Sequence, residues 1–193
     1  MTPDLVQQFK AQYEALAGRV HIASHRAEAG TIIATLLQEV NAERVAVAEL
    51  PTDLQQALIQ HCTQAGITLL RPPFDRASLP QAIDAAQVGI STAAFGIAMT
   101  GTLVEVTTDD AFRLVSTLPR IHIALVRAAD LVPSLEEAAP RLRTLFQEHS
   151  RHCTVTFISG PSRTGDIEMR LTLGVHGPEM AHAIVLQEAG EEG

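Results

Sequence analysis

The sequence has little aromatic or basic character. It contains no tryptophan, one tyrosine and six phenylalanines among 193 residues, and its formal net charge is −8. Proteins that bind nucleic acid without sequence preference need clustered Lys and Arg, and those that stack bases need aromatic side chains. This chain has no basic run. We therefore expect no nucleic-acid partner.

Long apolar runs and cysteines are scarce as well. No apolar run reaches the ~18–20 residues that span a bilayer, and the N-terminal segment MTPDLVQQFKAQYEALAG is polar and amphipathic, unlike a signal peptide. A cytoplasmic protein without a membrane span is expected. The two cysteines, Cys62 and Cys153, lack CxxC spacing, and we identify no histidine pair whose spacing suggests a metal site. We expect reduced thiols, no metal site and no iron–sulfur cluster in this chain.

Three common nucleotide and hydrolase motifs are missing too. The chain lacks GxGxxG, GxxxxGK[ST] and GxSxG. These motifs mark the dinucleotide-binding turn, the P-loop and the nucleophile elbow of α/β hydrolases. None of these three classes is supported.

The first half of the chain alternates between apolar runs and helical periodicity. The runs RVHIAS (19–24), RVAVAEL (44–50), ITLLRP (67–72) and QVGIST (87–92) are separated by helical patterns at 26–40, 52–66 and 78–86. Continuous apolar strands between helices indicate a mostly parallel sheet that is covered on both faces. At this length we expect one domain.

The second half changes this pattern. Residues 94–110 contain two β-rich runs joined at Thr100-Gly101, which predicts an antiparallel hairpin. A buried strand is predicted at 121–126 and further strands at 153–159, 169–175 and 181–187. A helix is predicted at 134–149, with Pro140 expected to kink it or to confine it to its later half. The fold class is α/β.

Small and polar residues follow several of these strands. In parallel sheets, ligands bind beyond the carboxyl ends of the strands, and small residues let backbone N–H groups approach an anion. The candidate ligand-binding residues are Ser91, Thr92, Thr100, Gly101, Thr102, Ser159, Gly160, Ser162, Arg163, Thr164, Asp166, Glu168, His176 and Gly177. We expect their loops to converge on one crevice that binds a small anion, and we identify no catalytic residue.

A purely structural reading competes with this one. Ser-Gly-Pro-Ser is an ordinary turn composition, and Asp166 and Glu168 suit a solvated edge. His176 suits a turn backbone equally well. His122, within the apolar run IHIALV, is interpreted as a buried core histidine with satisfied hydrogen bonds.

Three segments together resemble a known family. GISTAAFGIAMTGTLVEVT (89–107), RLVSTLPRIHIALV (113–126) and SGPSRTGDIEMRLTLGVHGP (159–178) resemble the LUD-domain proteins of lactate utilisation, of the small LutC/YkgG type. The resemblance covers residues 87–188 well and residues 1–86 loosely. The whole chain, 1–193, is thus interpreted as a single LUD-like domain.

The resemblance implies a fold similar to glucosamine-6-phosphate deaminase, ribose-5-phosphate isomerase and the CoA transferases. It also implies a role beside iron–sulfur partner subunits that oxidise L-lactate to pyruvate, with no cofactor in this chain. One position departs from the family pattern. Met99 stands where the family usually has a glutamate, the residue type that a CoA-transferase mechanism uses as nucleophile.

Three functions stay open at this point. The chain is an accessory or ligand-binding subunit of that lactate-oxidising system, a free-standing enzyme on a phosphorylated or CoA-linked metabolite, or a regulatory module that binds one. Fold analogy alone is a weak basis for the second.

Overall fold

The computed structural model describes residues 4–149, 152–164 and 172–188. Six α-helices lie in these ranges: α1 (Leu5–Ala15), α2 (Arg26–Glu39), α3 (Thr52–Ala65), α4 (Gln81–Asp84), α5 (Asp110–Thr117) and α6 (Leu135–Glu148). The strands there are β1 (Arg19–Ala23), β2 (Arg44–Val47), β3 (Thr68–Leu70), β4 (Val88–Thr92), β5 (Phe95–Ile97), β6 (Thr102–Thr107), β7 (Ile121–Arg127), β8 (Leu131–Val132), β9 (Thr154–Ile158), β10 (Arg163–Thr164), β11 (Thr172–Leu173) and β12 (Met180–Leu186).

The main sheet has six strands in the order β1-β12-β7-β4-β2-β3. Every neighbouring pair in it is parallel, which confirms the predicted mostly parallel sheet. The strands are apolar on both faces because helices cover both. Helices α2 and α3 pack on one face, while α1 and α5 pack on the other.

The predicted hairpin belongs to a second sheet of order β8-β5-β6-β9. Strands β5 and β6 are antiparallel, as expected, and are joined through a 3-10 turn at Ala98–Thr100 and Gly101. Strand β9 adds to the other side of β6. The sequence patterns identified the hairpin but not its separation from the main sheet.

Two helices differ from their predictions. The pattern at 78–86 forms a 3-10 turn (Arg76–Ser78) followed by the short α4. Helix α6 runs without interruption through Pro140, so the expected confinement to its later half is wrong. Its buried Ala138, with Leu142 and Leu145, packs on the second sheet, and this packing holds the helix despite the missing backbone donor.

Helix α1 fixes how the two sheets meet. Phe9 and Tyr13 are fully buried, and their rings stack with centroids 5.4 Å apart. Gly101 (φ +58°) lies directly beneath the helix, where an added Cβ would come within 2.4 Å of the Tyr13 backbone nitrogen. Gly160 (φ +82°) lies similarly close to the Leu16 carbonyl oxygen, which an added Cβ would approach to 2.7 Å. Both turns therefore need glycine for conformation and for space.

Candidate functional site

A cavity opens at the carboxyl edge of the main sheet, where β2 and β4 end against β6 of the second sheet. Its volume is about 420 Å³. The residues that line it are Ala48, Glu49, Leu50, Pro51, Ser91, Thr92, Ala93, Ala94, Glu105, Val106, Thr107 and Phe112. We call it the acidic cavity, because Glu49 and Glu105 are the only charged residues among the described residues that line it. Its location agrees with the rule for ligand sites in parallel sheets.

Three buried polar side chains meet beside this cavity. Ser91 comes from β4, Glu105 from β6 and His122 from β7, and each is at most 4% exposed. Ser91 Oγ donates a hydrogen bond to Glu105 Oε1 and lies 2.7 Å from His122 Nε2. His122 Nε2 also lies 3.4 Å from Glu105 Oε1. We call these three residues the buried triad.

Backbone geometry explains how the triad assembles. In a strand, alternate residues share a face, so Gly89 and Ser91 point to the same side of the main sheet. Gly89 pairs with His122 in the strand register. A Cβ at Gly89 would lie 1.9 Å from the Val115 carbonyl oxygen. This glycine therefore lets α5 approach the sheet closely and bring Ser116 to the triad.

The carboxyl of Glu105 is held in its ionised form. Burial raises its pKa, but hydrogen bonding and charge interaction with His122, together with hydrogen bonding to Ser91 and Ser116, lower the pKa by more. The net pKa lies below the ordinary value of 4.5. A buried carboxylate is tolerated when donors compensate its lost hydration. Glu105 is accordingly a hydrogen-bond acceptor at neutral pH.

The triad does not have the geometry of a serine hydrolase. In such an enzyme the acid holds His Nδ1 while the serine contacts Nε2. Here Glu105 and Ser91 both contact Nε2, and Nδ1 of His122 is buried without a hydrogen-bond partner in the described structure. A hydroxyl has one proton, which Ser91 donates to Glu105, so Ser91 accepts from His122 Nε2–H. In this arrangement Glu105 acts as a fixed hydrogen-bond acceptor, and Ser91 is not activated as a nucleophile.

A second cavity, of about 350 Å³, adjoins the first. The residues that line it are Arg26, Pro51, Thr92, Ala93, Ala94, Leu125, Val126, Arg127, Asp130 and Leu186. We call it the arginine cavity, because Arg26 and Arg127 line it with Asp130 as the one acidic residue among the described residues there. Arg127 Nε lies 2.5 Å from Asp130 Oδ2, and Arg26 Nη1 lies 3.4 Å from Asp53 Oδ1.

The wall between the two cavities is held rigidly. Pro51 and the segment Thr92–Ala94 line both cavities. Thr92 Oγ1 donates to the Glu49 carbonyl oxygen at 2.9 Å, and Ala93 N donates to the Leu125 carbonyl oxygen at 2.7 Å. Ala94 N donates to the Val104 carbonyl oxygen at 2.8 Å. Three bonds to three different parts of the chain fix this segment.

Two of the predicted site residues, Ser91 and Thr92, line the acidic cavity. Three others form a chain of hydroxyls, since Thr102 Oγ1 lies 2.7 Å from Thr100 Oγ1 and 2.8 Å from Ser159 Oγ. With Gly101 and Gly160, this chain packs against α1. None of these five is among the described lining residues of either cavity, so the expected convergence on one crevice is not seen there.

Of the remaining predicted residues, those that the structure describes lie near the Gly177-Pro178 turn or in β10. Ser162 N donates to the Pro178 carbonyl oxygen at 2.8 Å, and Gly174 N donates to the Ser162 carbonyl oxygen at 3.0 Å. Arg163 and Thr164 form β10, and Arg163 and His176 are exposed. Gly177 faces Ser162, and a Cβ added at Gly177 would lie 3.2 Å from the Ser162 Cβ. Asp166 and Glu168 lie outside the described residues. An anion site in this loop stays a prediction.

Sequence reasoning missed two members of the triad. Glu105 is not among the predicted site residues, although an acidic residue within the β-rich run TLVEVT is a signal. His122 is buried as expected, but its Nδ1 has no hydrogen-bond partner among the described residues, contrary to the expectation that its hydrogen bonds are satisfied.

The described residues contain no group of three or more His, Cys, Asp or Glu arranged to hold a metal ion. Cys62 and Cys153 are both free thiols, the first buried and the second half-buried. In the described ranges no helix is both long and apolar enough to cross a membrane.

The fold is an α/β domain with a cavity at the carboxyl edge of its parallel sheet, and comparison with known proteins identifies its family. The sequence profile of the LUD domain matches residues 6–186. The chain belongs to the LUD domain family, as its motifs implied.

Curated relatives are proteins named Lactate utilization protein C. The chain is 36% identical over 126 residues to the one from Shouchella clausii, which covers 65% of this chain and 55% of that protein. It is 36% identical over 108 residues to the one from Anoxybacillus flavithermus, covering 56% and 47%. The matches span about half the length of these relatives. A solved structure, a DUF162 family protein from Deinococcus radiodurans, matches with a TM-score of 0.64 and 26% identity, covering 94% of this chain and 96% of that one.

Proposed function

We propose that this chain acts in lactate utilisation as a cytoplasmic, accessory or ligand-binding subunit of an iron–sulfur system that oxidises L-lactate to pyruvate. Membership of the LUD domain family and the names of the curated relatives support the pathway. The chain contributes a binding site for a small anionic metabolite, and its partners carry the clusters. Cluster ligation by four thiolates needs more cysteines than the two that this chain has.

The observation that carries the proposal is the buried triad at the acidic cavity. Glu105 is 2% exposed and yet ionised, and it lines an open cavity at the carboxyl edge of the sheet. Carboxylates with perturbed pKa values that face a cleft are candidates for functional sites. A carboxylate held by Ser91 and His122 is positioned to accept a hydrogen bond from a ligand hydroxyl.

A second candidate is a free-standing enzyme or regulatory module for a phosphorylated or CoA-linked metabolite. The adjoining arginine cavity favours it, because arginines bind phosphate and carboxylate groups with paired hydrogen bonds. Met99, at the position of the usual family glutamate, is 49% exposed on the turn before β6. Glu105, in that strand, brings a different carboxylate to the cavity.

Gene deletion tests the proposal in the strain that carries this chain. Loss of the gene is expected to impair growth on L-lactate and to leave growth on glucose unchanged. The tagged protein is expected to co-purify from lactate-grown cells with cysteine-rich, brown-coloured partners. Normal growth on L-lactate, with no second copy present, contradicts the lactate role. Impaired growth without such partners contradicts the iron–sulfur assembly and favours the second candidate.

A further inference from the structure

The two cavities adjoin along a shared wall, and we call them together the crevice; the described charged residues that line them give net charges of opposite sign. They share Pro51 and Thr92–Ala94 as a common wall. On the described lining residues, two glutamates give the acidic cavity a charge of −2, while two arginines and one aspartate give the arginine cavity +1. A ligand that occupies both cavities meets net negative charge at one end and net positive charge at the other. We therefore expect its two ends to differ in charge.

The arginine end keeps donors for a ligand despite its ion pairs. The side chains of Arg127 and Arg26 are 52% and 35% exposed, and each is described with a single acidic side chain within ion-pair distance. A guanidinium has five N–H donors, so one carboxylate contact leaves others for a second anion. A phosphate or carboxylate group is the matching ligand chemistry.

The acidic end disfavours an anion and needs hydrogen-bond donors. Glu49 and Glu105 repel negative charge there. Thr107 lines the same cavity, and its Oγ1 is buried without a hydrogen-bond partner in the described structure. Neutral hydroxyl or amide groups satisfy such acceptors without the repulsion that a second anionic group would meet.

The acidic cavity is larger than lactate alone would fill. The acidic cavity measures about 420 Å³, room for roughly 14 water molecules at about 30 Å³ each. Lactate has six non-hydrogen atoms and would leave most of this space to solvent. Ligand sites of about 300–1,000 Å³ usually hold larger molecules and bury most of their surface.

We propose that the crevice binds an anionic metabolite larger than lactate, with a phosphate or carboxylate group at Arg26 and Arg127 and a neutral chain of hydroxyl or amide donors at Glu49 and Glu105. This inference rests on the proposed function in that it takes the crevice as the ligand site of that protein. It names the chemistry of the small anion that the proposed function left open.

Calorimetry with linear polyols tests the inference directly. D-Gluconate and D-sorbitol 6-phosphate carry a carboxylate or a phosphate on a chain of hydroxyls, and D-sorbitol, inorganic phosphate and L-lactate are the partial probes. At least one of the two full probes is expected to bind tenfold or more tightly than every partial probe. Which of the two binds identifies the anionic group. Failure of both to bind at millimolar concentration, or equal binding of L-lactate, overturns the inference.

Two arginines at opposite ends of β7 supply a matched pair of variants. Arg127 ends the strand at the crevice and pairs with Asp130, whereas Arg120 precedes the strand at its other end and pairs with Glu179. Arg127→Ala is expected to weaken binding of the full probe at least tenfold, and Arg120→Ala less than twofold. Equal loss in both variants, or loss in Arg163→Ala but not in Arg127→Ala, overturns the placement of the anion.

The growth phenotype is a separate readout. If deletion leaves growth on L-lactate unchanged while gluconate or sorbitol 6-phosphate binds through Arg127, the lactate role fails and the ligand class stands. If deletion impairs growth and neither probe binds, the ligand class fails and the lactate role stands.

Discussion

Ser91 Oγ lies 2.7 Å from His122 Nε2 in the neighbouring strand of the main sheet, and the same hydroxyl donates to Glu105 of the second sheet. One small side chain therefore connects the two sheets at the edge of the acidic cavity. Because β4, β6 and β7 are separate segments of the chain, the buried triad exists only once both sheets have formed and packed together. A substitution in the buried triad is therefore expected to affect both the stability of the fold and the candidate site.

Replacing the carboxylate of the triad is expected to destabilise the protein. Glu105→Gln keeps the shape of the side chain but turns one carboxylate oxygen into an amide donor, which faces groups that themselves donate. An unsatisfied buried polar group costs about 1–3 kcal/mol, so the free energy of unfolding in urea should fall by that amount at pH 7. Glu148→Gln, at the exposed end of α6, is the control and should change it by less than about 0.5 kcal/mol. Equal values for the two variants would contradict a stabilising triad.

The Glu105→Gln substitution should also change how the stability of the protein depends on pH. Because the folded-state pKa of Glu105 lies below the ordinary value of 4.5, the carboxylate stabilises the fold above that pH. This contribution is lost as pH falls through the folded-state pKa. The difference in melting temperature between the unmodified protein and Glu105→Gln is expected to be constant from pH 7 to pH 5 and to shrink below about pH 4.5. A difference that grows in acid would contradict an ionised Glu105.

His182 gives a second pH dependence, in a different range. Burial lowers the pKa of His182 to about 4, with the positive charge of His21 as the next cause; the two rings stack, with His21 Nε2 3.0 Å from His182 Nδ1. The unfolded chain binds the proton below about 6.5 and the folded chain only near 4, so stability falls as pH drops through that window. Melting temperatures of His182→Leu should fall less steeply between pH 6.5 and 4, while the exposed His176→Gln keeps the original slope. An unchanged slope in His182→Leu would contradict a neutral buried His182.

Two glycine-to-alanine substitutions should change the free energy of unfolding in opposite directions. Gly89→Ala places a Cβ 1.9 Å from the Val115 carbonyl oxygen, so α5 must move, and overpacking of this kind costs about 1–3 kcal/mol or more. Gly30→Ala, within α2, meets only Leu54 Cδ2 at 3.6 Å, an ordinary contact. Alanine is favoured over glycine in a helix by up to ~1 kcal/mol. Urea unfolding should show Gly89→Ala less stable and Gly30→Ala more stable than the unmodified protein, and a stable Gly89→Ala would contradict the close approach of α5.

The sequence predicted the parallel sheet and the hairpin because their signals are local. Continuous apolar runs such as IHIALV occur where both faces of a strand are covered, and Thr100-Gly101 marks a tight turn. The second sheet could not be predicted in the same way. It depends on β9 pairing with β6 from about fifty residues further along the chain, and no local pattern specifies that partner.

Glu105 shows why the site was harder to predict than the fold. In a strand with one solvated face, Glu105 and Thr107 would be assigned to solvent by their alternation with apolar neighbours. The strand instead turns that face toward the main sheet, where Ser91 and His122 complete the hydrogen bonds. By contrast, Gly101 and Gly160 were predicted as parts of an anion loop, and in the structure each leaves room for α1; anion binding there stays a prediction.

The most direct test of the buried triad as the functional site is complementation of the deletion strain on L-lactate with the chain carrying Glu105→Gln. Immunoblotting of the soluble fraction should establish equal amounts of the variant, the unmodified chain and the Glu148→Gln control. We expect the unmodified chain and the control to restore growth on L-lactate and Glu105→Gln not to restore it, while all three strains grow equally on glucose. Full growth of the Glu105→Gln strain on L-lactate would contradict the claim that the buried triad forms the functional site.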